Sequence, residues 1–130
     1  MEQISPVITA DTHRMPWEEL PIPELDASIF MKPLFLDSMT GMSISKACYK
    51  AGFMNKSHTH HCAHGMYVLD GILVTSVGSF GPGSFVWFPE GETMFHGAQE
   101  DNDVTFLFIT DKTFDIHYTP SEESTSSSNQ

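Results

Sequence analysis

Seven histidines stand in a chain of 130 residues, and His58, His60, His61 and His64 crowd into one short stretch. Neutral imidazole is a good ligand for divalent iron, manganese, nickel, copper and zinc. Side chains on a strand return to the same face every second residue, so His58 and His60 face one way. His64 keeps their parity, whereas His61 and Cys62 cannot both share it. His96 closes a later strand pair, and a closed or rolled sheet brings it opposite the first three. Four imidazoles converging on one point make a metal site, so His58, His60, His64 and His96 are the expected ligands. His13 and His117 read as ordinary hydrogen-bonded polar residues.

The elements that must carry these residues are strands. Ser43, Ser45, Ala47 and Tyr49 alternate with Met42, Ile44, Lys46, Cys48 and Lys50 at period two. Met66–Leu69 leads into Asp70-Gly71, a hairpin signal, and Ile72–Val77 follows. Ser84–Phe88, Met94–His96 and Val104–Thr110 complete the set, with Gly and Pro between them, and no window has helical periodicity. The expected class is all-β, a sandwich or barrel. Residues 1–27 carry four prolines among acids and read as an extended N-terminal arm. Residues 28–119 form the domain, and 120–130 (PSEESTSSSNQ) form a disordered tail.

Composition narrows the function. Seventeen acids face six bases, a formal net charge of −11, and the bases form no stripe, which excludes a nucleic-acid or anionic-membrane surface. No apolar run approaches the roughly 20 residues that span a bilayer. The opening MEQISPVITADTH lacks the basic start and apolar core of a secretory signal. With Cys48 and Cys62 too few for a disulfide framework, a reducing cytoplasm is the expected home. No Ser-His-Asp spacing, phosphate loop or dinucleotide fingerprint is present.

Two segments, GFMNKSHTHHCAHGMYVLDG and GSFVWFPEGETMFH, together resemble the cupin superfamily, whose members fold as a jelly-roll (double-stranded β-helix) barrel holding a metal inside. Gly52, His58, His60 and Gly71 match the family's first motif, and His64 stands where most cupins have Glu. Gly83, Pro89 and Gly91 match the second motif. Its histidine is expected at Met94 and appears at His96, so a two-residue extension of the turn, in the GETM stretch, must restore it. The HxHxxxH pattern and the His96-Gly97 pair are similar to the small four-histidine manganese cupins. The YVLDG and GSFVWFPEGET runs resemble the acetylacetone and dihydroxyacetophenone dioxygenase branch, in which three histidines hold iron; there His58, His60 and His96 would take that role.

Exchanging the carboxylate for imidazole raises the charge of a divalent site from +1 to +2. Four imidazoles in an octahedral shell leave two positions open, which suits a bidentate anion such as an enolate with O2 beside it. The resemblance therefore implies an oxidoreductase, dioxygenase-like, acting on a small enolisable or aromatic ketone. Fe2+ or Mn2+ is the favoured metal, with Zn2+ or Ni2+ as alternatives. Tyr67, Phe85, Trp87, Phe95 and Gln99 are the candidate substrate wall. Two other readings stay open. One is a non-redox isomerase or polyketide cyclase using Zn2+ or Ni2+ as Lewis acid. The other is a binding module resembling the zinc cupin domain of some anti-sigma factors. A homodimer is expected from the family resemblance.

Overall fold

The computed structural model describes residues 7–113 and the backbone of residues 117–118; the tail expected over 120–130 lies outside the described residues. After a turn of 3-10 helix at Thr12–Arg14 come β1 (Glu18–Ile22), a second such turn at Pro23–Leu25, β2 (Ala27–Leu36) and β3 (Ser43–Tyr49). Then follow β4 (His58–Thr59), β5 (His64–Asp70), β6 (Leu73–Thr75), β7 (Gly78–Phe80), β8 (Phe85–Phe88), β9 (His96–Ala98), β10 (Val104–Thr110) and β11 (His117–Tyr118). One layer is a six-stranded sheet in the order β1-β2-β3-β10-β5-β8. The other is made of the β7-β6-β9 sheet and the β11-β4 ribbon. All pairs are antiparallel, the arrangement of a cupin jelly roll.

Two expectations change. The stretch read as an N-terminal arm is not free of the sheet, because Glu18–Ile22 pairs with Ala27–Met31 as an edge strand. Proline is tolerated at such an edge, where its missing N–H leaves no ladder partner unpaired, and Pro21 sits there. The Asp70-Gly71 turn is not a hairpin either. It carries the chain from β5 in the six-stranded sheet to β6 in the other layer, and β5 pairs with β8 and β10 instead. Both apolar faces must be buried against each other, and passing successive strands between layers does that.

The period-two pattern of β10 is fully realised. Val104, Phe106, Phe108 and Thr110 are buried while the residues between them are half-buried. Phe106, Met66 and Val68 from the six-stranded sheet meet Leu73, Met94 and Ala98 from the opposite layer. At about 1.5–3 kcal/mol for each large side chain removed from water, this core holds the layers together. On β3 it is the small series, Ser43, Ser45, Ala47 and Tyr49, that faces inward. Small side chains there leave space inside the barrel rather than filling it.

Candidate metal centre

β4 is only two residues long, and its position is set by His58. The His58 N–H donates to the Met94 carbonyl at 2.8 Å and the Met94 N–H returns a bond to the His58 carbonyl at 2.9 Å. This bridge fastens the first histidine segment to the chain that leads into β9. The Asn55 N–H donates to the His96 carbonyl at 3.0 Å, a second clamp between the same segments. Gly97 is required by this crossing. A Cβ there would overlap the Phe53 carbonyl oxygen and approach the Met54 Cα to 2.8 Å, so no larger residue fits behind His96.

The four expected ligands come together. Ring centroids lie 4.7 Å apart for His58–His60, 4.7 Å for His60–His64, 5.8 Å for His64–His96 and 5.0 Å for His96–His58, a closed circuit of near-perpendicular rings. Donor nitrogens of His58, His60 and His96 all lie within 4.8 Å of one another, whereas His64 stands outside that group of nitrogens and adjoins it through its ring contacts with His60 and His96. All four side chains are buried, whereas His61 is exposed. His96, two residues beyond the motif position, opens β9. Met94 occupies the bridge opposite His58, and alternation turns His96 inward beside it.

Three of the imidazoles, those of His58, His64 and His96, are prepared as neutral donors. The His58 Nδ1–H donates to the Lys56 carbonyl at 2.6 Å, which leaves the lone pair on Nε2. His96 Nδ1 lies 2.7 Å from the Tyr49 hydroxyl and 3.3 Å from the Asn55 side-chain amide. Its Nε2, like both ring nitrogens of His64, is buried without a hydrogen-bond partner. Buried polar atoms are normally satisfied, so orphaned nitrogens aimed at one point call for a ligand. Burial first, then the neighbouring His60 and His58, push His64 down to about 3. Burial followed by the other three imidazoles holds His96 well below its ordinary range. Burial lowers His58 as well, partly offset by the Lys56 carbonyl. Neutral, converging and otherwise unsatisfied nitrogens fit a divalent transition metal.

His58, His60 and His96, but not His64, line a cavity of about 220 Å³. Its walls are Leu20 and Ile22 of β1, Ile29 and Met31 of β2, the Ser43–Tyr49 inner series of β3, and Phe106 and Phe108 of β10. Apart from the imidazoles, no lining residue is ionisable under neutral conditions. The aromatic wall expected from the sequence lies elsewhere. Tyr67, Phe85, Trp87 and Phe95 are exposed, because alternation gives the inward positions to Met66, Val68, Val86, Phe88, Met94 and His96. Gln99 is half-buried in a separate polar depression with Asp70 and Asn102, outside the barrel cavity. Sequence reasoning missed Tyr49 and Asn55. Tyr49 had a visible inward parity on β3, but nothing in the sequence pairs it with His96.

No curated protein matches the chain in sequence. In fold it is similar to a protein from Methylibium petroleiphilum, named for a proposed acetylacetone dioxygenase activity. The identity is 11%, over 95% of this chain and 88% of that one, at a TM-score of 0.75. A cupin-like protein of unknown function from Ralstonia eutropha is 18% identical over 90% of this chain and 80% of its own, at 0.70. The polyketide cyclase RemF from Streptomyces resistomycificus is 20% identical over 94% of this chain and 88% of its own, at 0.60. These likenesses establish the fold and leave the chemistry open. The model of the ChrR cupin-like domain family matches residues 5–115, and the chain belongs to that family.

Proposed function

We propose that this protein is a metal-dependent oxidoreductase of dioxygenase type, acting on a small, neutral, enolisable or aromatic ketone. In this reading His58, His60, His64 and His96 hold the metal, Fe2+ or Mn2+ before Zn2+ or Ni2+. The observation that carries it is the placement of an all-imidazole cluster at the end of a small apolar cavity. When bound, such a metal supplies Lewis acidity and, for iron or manganese, redox reactivity toward O2.

The chain's own residues supply the rest. Ile22, Ile29, Met31 and Phe108 exclude water and pack against an apolar substrate body. Ser45 presents a hydroxyl to that space, and Ser43 does so while bonded to Thr110 Oγ1 at 2.8 Å. A cavity of roughly 150 Å³ accepts a benzene ring, so about 220 Å³ suits one substituted ring or a short diketone rather than a multi-ring substrate. With no lysine or arginine in the lining, an anionic group would find its partner only at the metal end of the cavity. Cys48 and Cys62, both buried, are too few for a disulfide framework, which suits a reducing compartment such as the cytoplasm. Among the described residues, no helix is long and apolar enough to cross a membrane.

The test is oxygen uptake by protein stripped of metal and reloaded with Fe2+, Mn2+, Ni2+ or Zn2+, against a panel of β-diketones and aryl hydroxyketones. Uptake with iron or manganese, abolished in His58→Ala and His96→Ala, is the expected result. Turnover under strict anaerobiosis with zinc or nickel would replace this reading with a cyclase or isomerase. No turnover, with a stoichiometric protein partner recovered instead, would replace it with a binding module.

A further inference from the structure

The inner face of β3 begins in a hydrogen-bonded pair whose polarity can be worked out. Thr110 of β10 is completely buried and stands opposite Ser43 in the ladder. Its Oγ1 accepts the Ser43 N–H at 3.1 Å and lies 2.8 Å from Ser43 Oγ. Among the described residues the Thr110 hydroxyl makes no other hydrogen bond. A hydroxyl has one proton to give. If Ser43 donated across the pair, the Thr110 proton would be stranded in the interior with neither water nor an acceptor, which buried polar groups rarely tolerate. The Thr110 proton therefore goes to Ser43 Oγ, and the Ser43 proton is left over.

Ser43 lines the cavity, so that proton is offered there. A hydroxyl that already accepts a hydrogen bond is polarised and donates more strongly. Ser45 also lines the cavity, but its hydroxyl makes no hydrogen bond among the described residues, so nothing fixes its direction. The same cavity calls for a ligand at a second point, because the Nε2 of buried His96 has no partner. The two points stand apart. Ser43, Thr110 and His64 are successive partners across β3, β10 and β5. That separates the backbones of Ser43 and His64, the neighbour of His96, by about 10 Å at the usual strand spacing. A substituted ring bridges such a span with an oxygen at each end. Ile29, Met31, Phe106 and Phe108 of the wall offer a ligand no polar side-chain atom.

We propose that Ser43 is the specificity-determining residue of this cavity, set as a donor by Thr110 as positioning residue. The ketone taken here then carries a further acceptor oxygen, an ether or a carbonyl, on its apolar body. This rests on the reading of the cavity as a ketone site and narrows it. An apolar substituent of equal size displaces water from Ser43 and leaves its proton without an acceptor, so it is disfavoured.

The experiment compares para-methoxyacetophenone with its near-isostere para-ethylacetophenone, and the meta pair alongside, by chemical-shift titration of the full chain as purified. In at least one pair the wild type should bind the methoxy compound about fivefold more tightly. Ser43→Ala should bring the two to equal affinity. Thr110→Val should lose most of the preference and Thr110→Ser, which restores the hydroxyl, should keep it. A loosened fold weakens both compounds alike, so it does not imitate a change in their ratio. Should Thr110→Val not fold, Ser43→Ala decides. Equal affinities in the wild type, a preference that survives Ser43→Ala, or one lost only in Ser45→Ala overturns the proposal and leaves the ketone cavity standing. Binding of neither compound overturns both. A Ser43-dependent preference without oxygen uptake under any metal upholds the proposal and removes the oxidoreductase.

Discussion

Replacing Tyr49 by phenylalanine removes one heavy atom, the hydroxyl oxygen 2.7 Å from Nδ1 of His96. The ring itself is 3% exposed and packs against Phe53 and Phe106, each at a centroid distance of 4.8 Å, contacts that phenylalanine keeps. The direction of the hydrogen bond matters more than its strength. If the tyrosine donated its proton to Nδ1, the imidazole would carry its own proton on Nε2 and could not ligate there. Ligation through Nε2 requires the opposite tautomer, with Nδ1–H donating to the tyrosine oxygen. Losing an outer partner of a ligating histidine typically weakens metal binding 10–100-fold. The Asn55 side-chain amide remains 3.3 Å from the same nitrogen and, turned to present Oδ1 in place of its NH2, accepts the Nδ1 proton, so Tyr49→Phe should fall near the lower end, about tenfold or ~1.4 kcal/mol. Adding Asn55→Ala should bring the loss toward about a hundredfold. Competition for Zn2+ against a chromophoric chelator at pH 7.5 measures this, with chemical denaturation of the metal-free protein as control, where about 1 kcal/mol is expected from one lost hydrogen bond. Wild-type affinity in Tyr49→Phe would refute the orienting role. An affinity loss no larger than the metal-free stability loss would reduce Tyr49 to a packing residue.

Stability of the metal-free protein should depend on pH through the same histidines. Their folded pKa values lie below the unfolded value near 6.5, so their full contribution is present above that pH. As pH falls below it the unfolded chain takes up protons that the fold refuses, His64 down to about 3. Stability should then drop by about 1.4 kcal/mol per pH unit for each histidine concerned. Urea midpoints measured from pH 8 to pH 5 should be flat at first and then fall, less steeply in His64→Gln; a midpoint unchanged from pH 7 to 5 would contradict the burial argument. Ile22→Trp, placed in the cavity wall formed by β1, should raise KM for any ketone that the protein turns over by at least about tenfold, or ~1.4 kcal/mol. Zn2+ affinity should be unchanged, and weakened metal binding would show that β1 supports the histidines and not the substrate space.

The shared parity of His58 and His60 was legible because a strand has only two faces. His64, by contrast, opens β5 in the six-stranded sheet, across from the β4 ribbon that carries His58, so its approach came from the packing of the layers and not from parity along one strand. The likeness of the two motifs added His96, which lies two residues beyond the expected position and follows Met94, the residue that bridges to His58. The substrate wall was not legible. Tyr67, Phe85, Trp87 and Phe95 alternate with apolar neighbours, so both faces of β5 and β8 look suitable for burial, and the larger rings went outside. On β3 the inward set is the one with two serines and an alanine. A cavity reverses the usual preference for bulky apolar side chains inside, and composition gives no warning of it. Likewise β1 was hidden by its prolines, and Tyr49 by its distance along the chain from His96.

Taken by itself, then, the order of residues determined the donors available, the period of the strands and the scarcity of positive charge. These are local properties, written in residue type and spacing. Which face of each strand is covered, which layer a turn leads to, and which hydroxyl meets the nitrogen of His96 depend on pairing between segments far apart in sequence. Only closure of the two layers decided them, because alternation defines two faces without saying which one meets the other sheet.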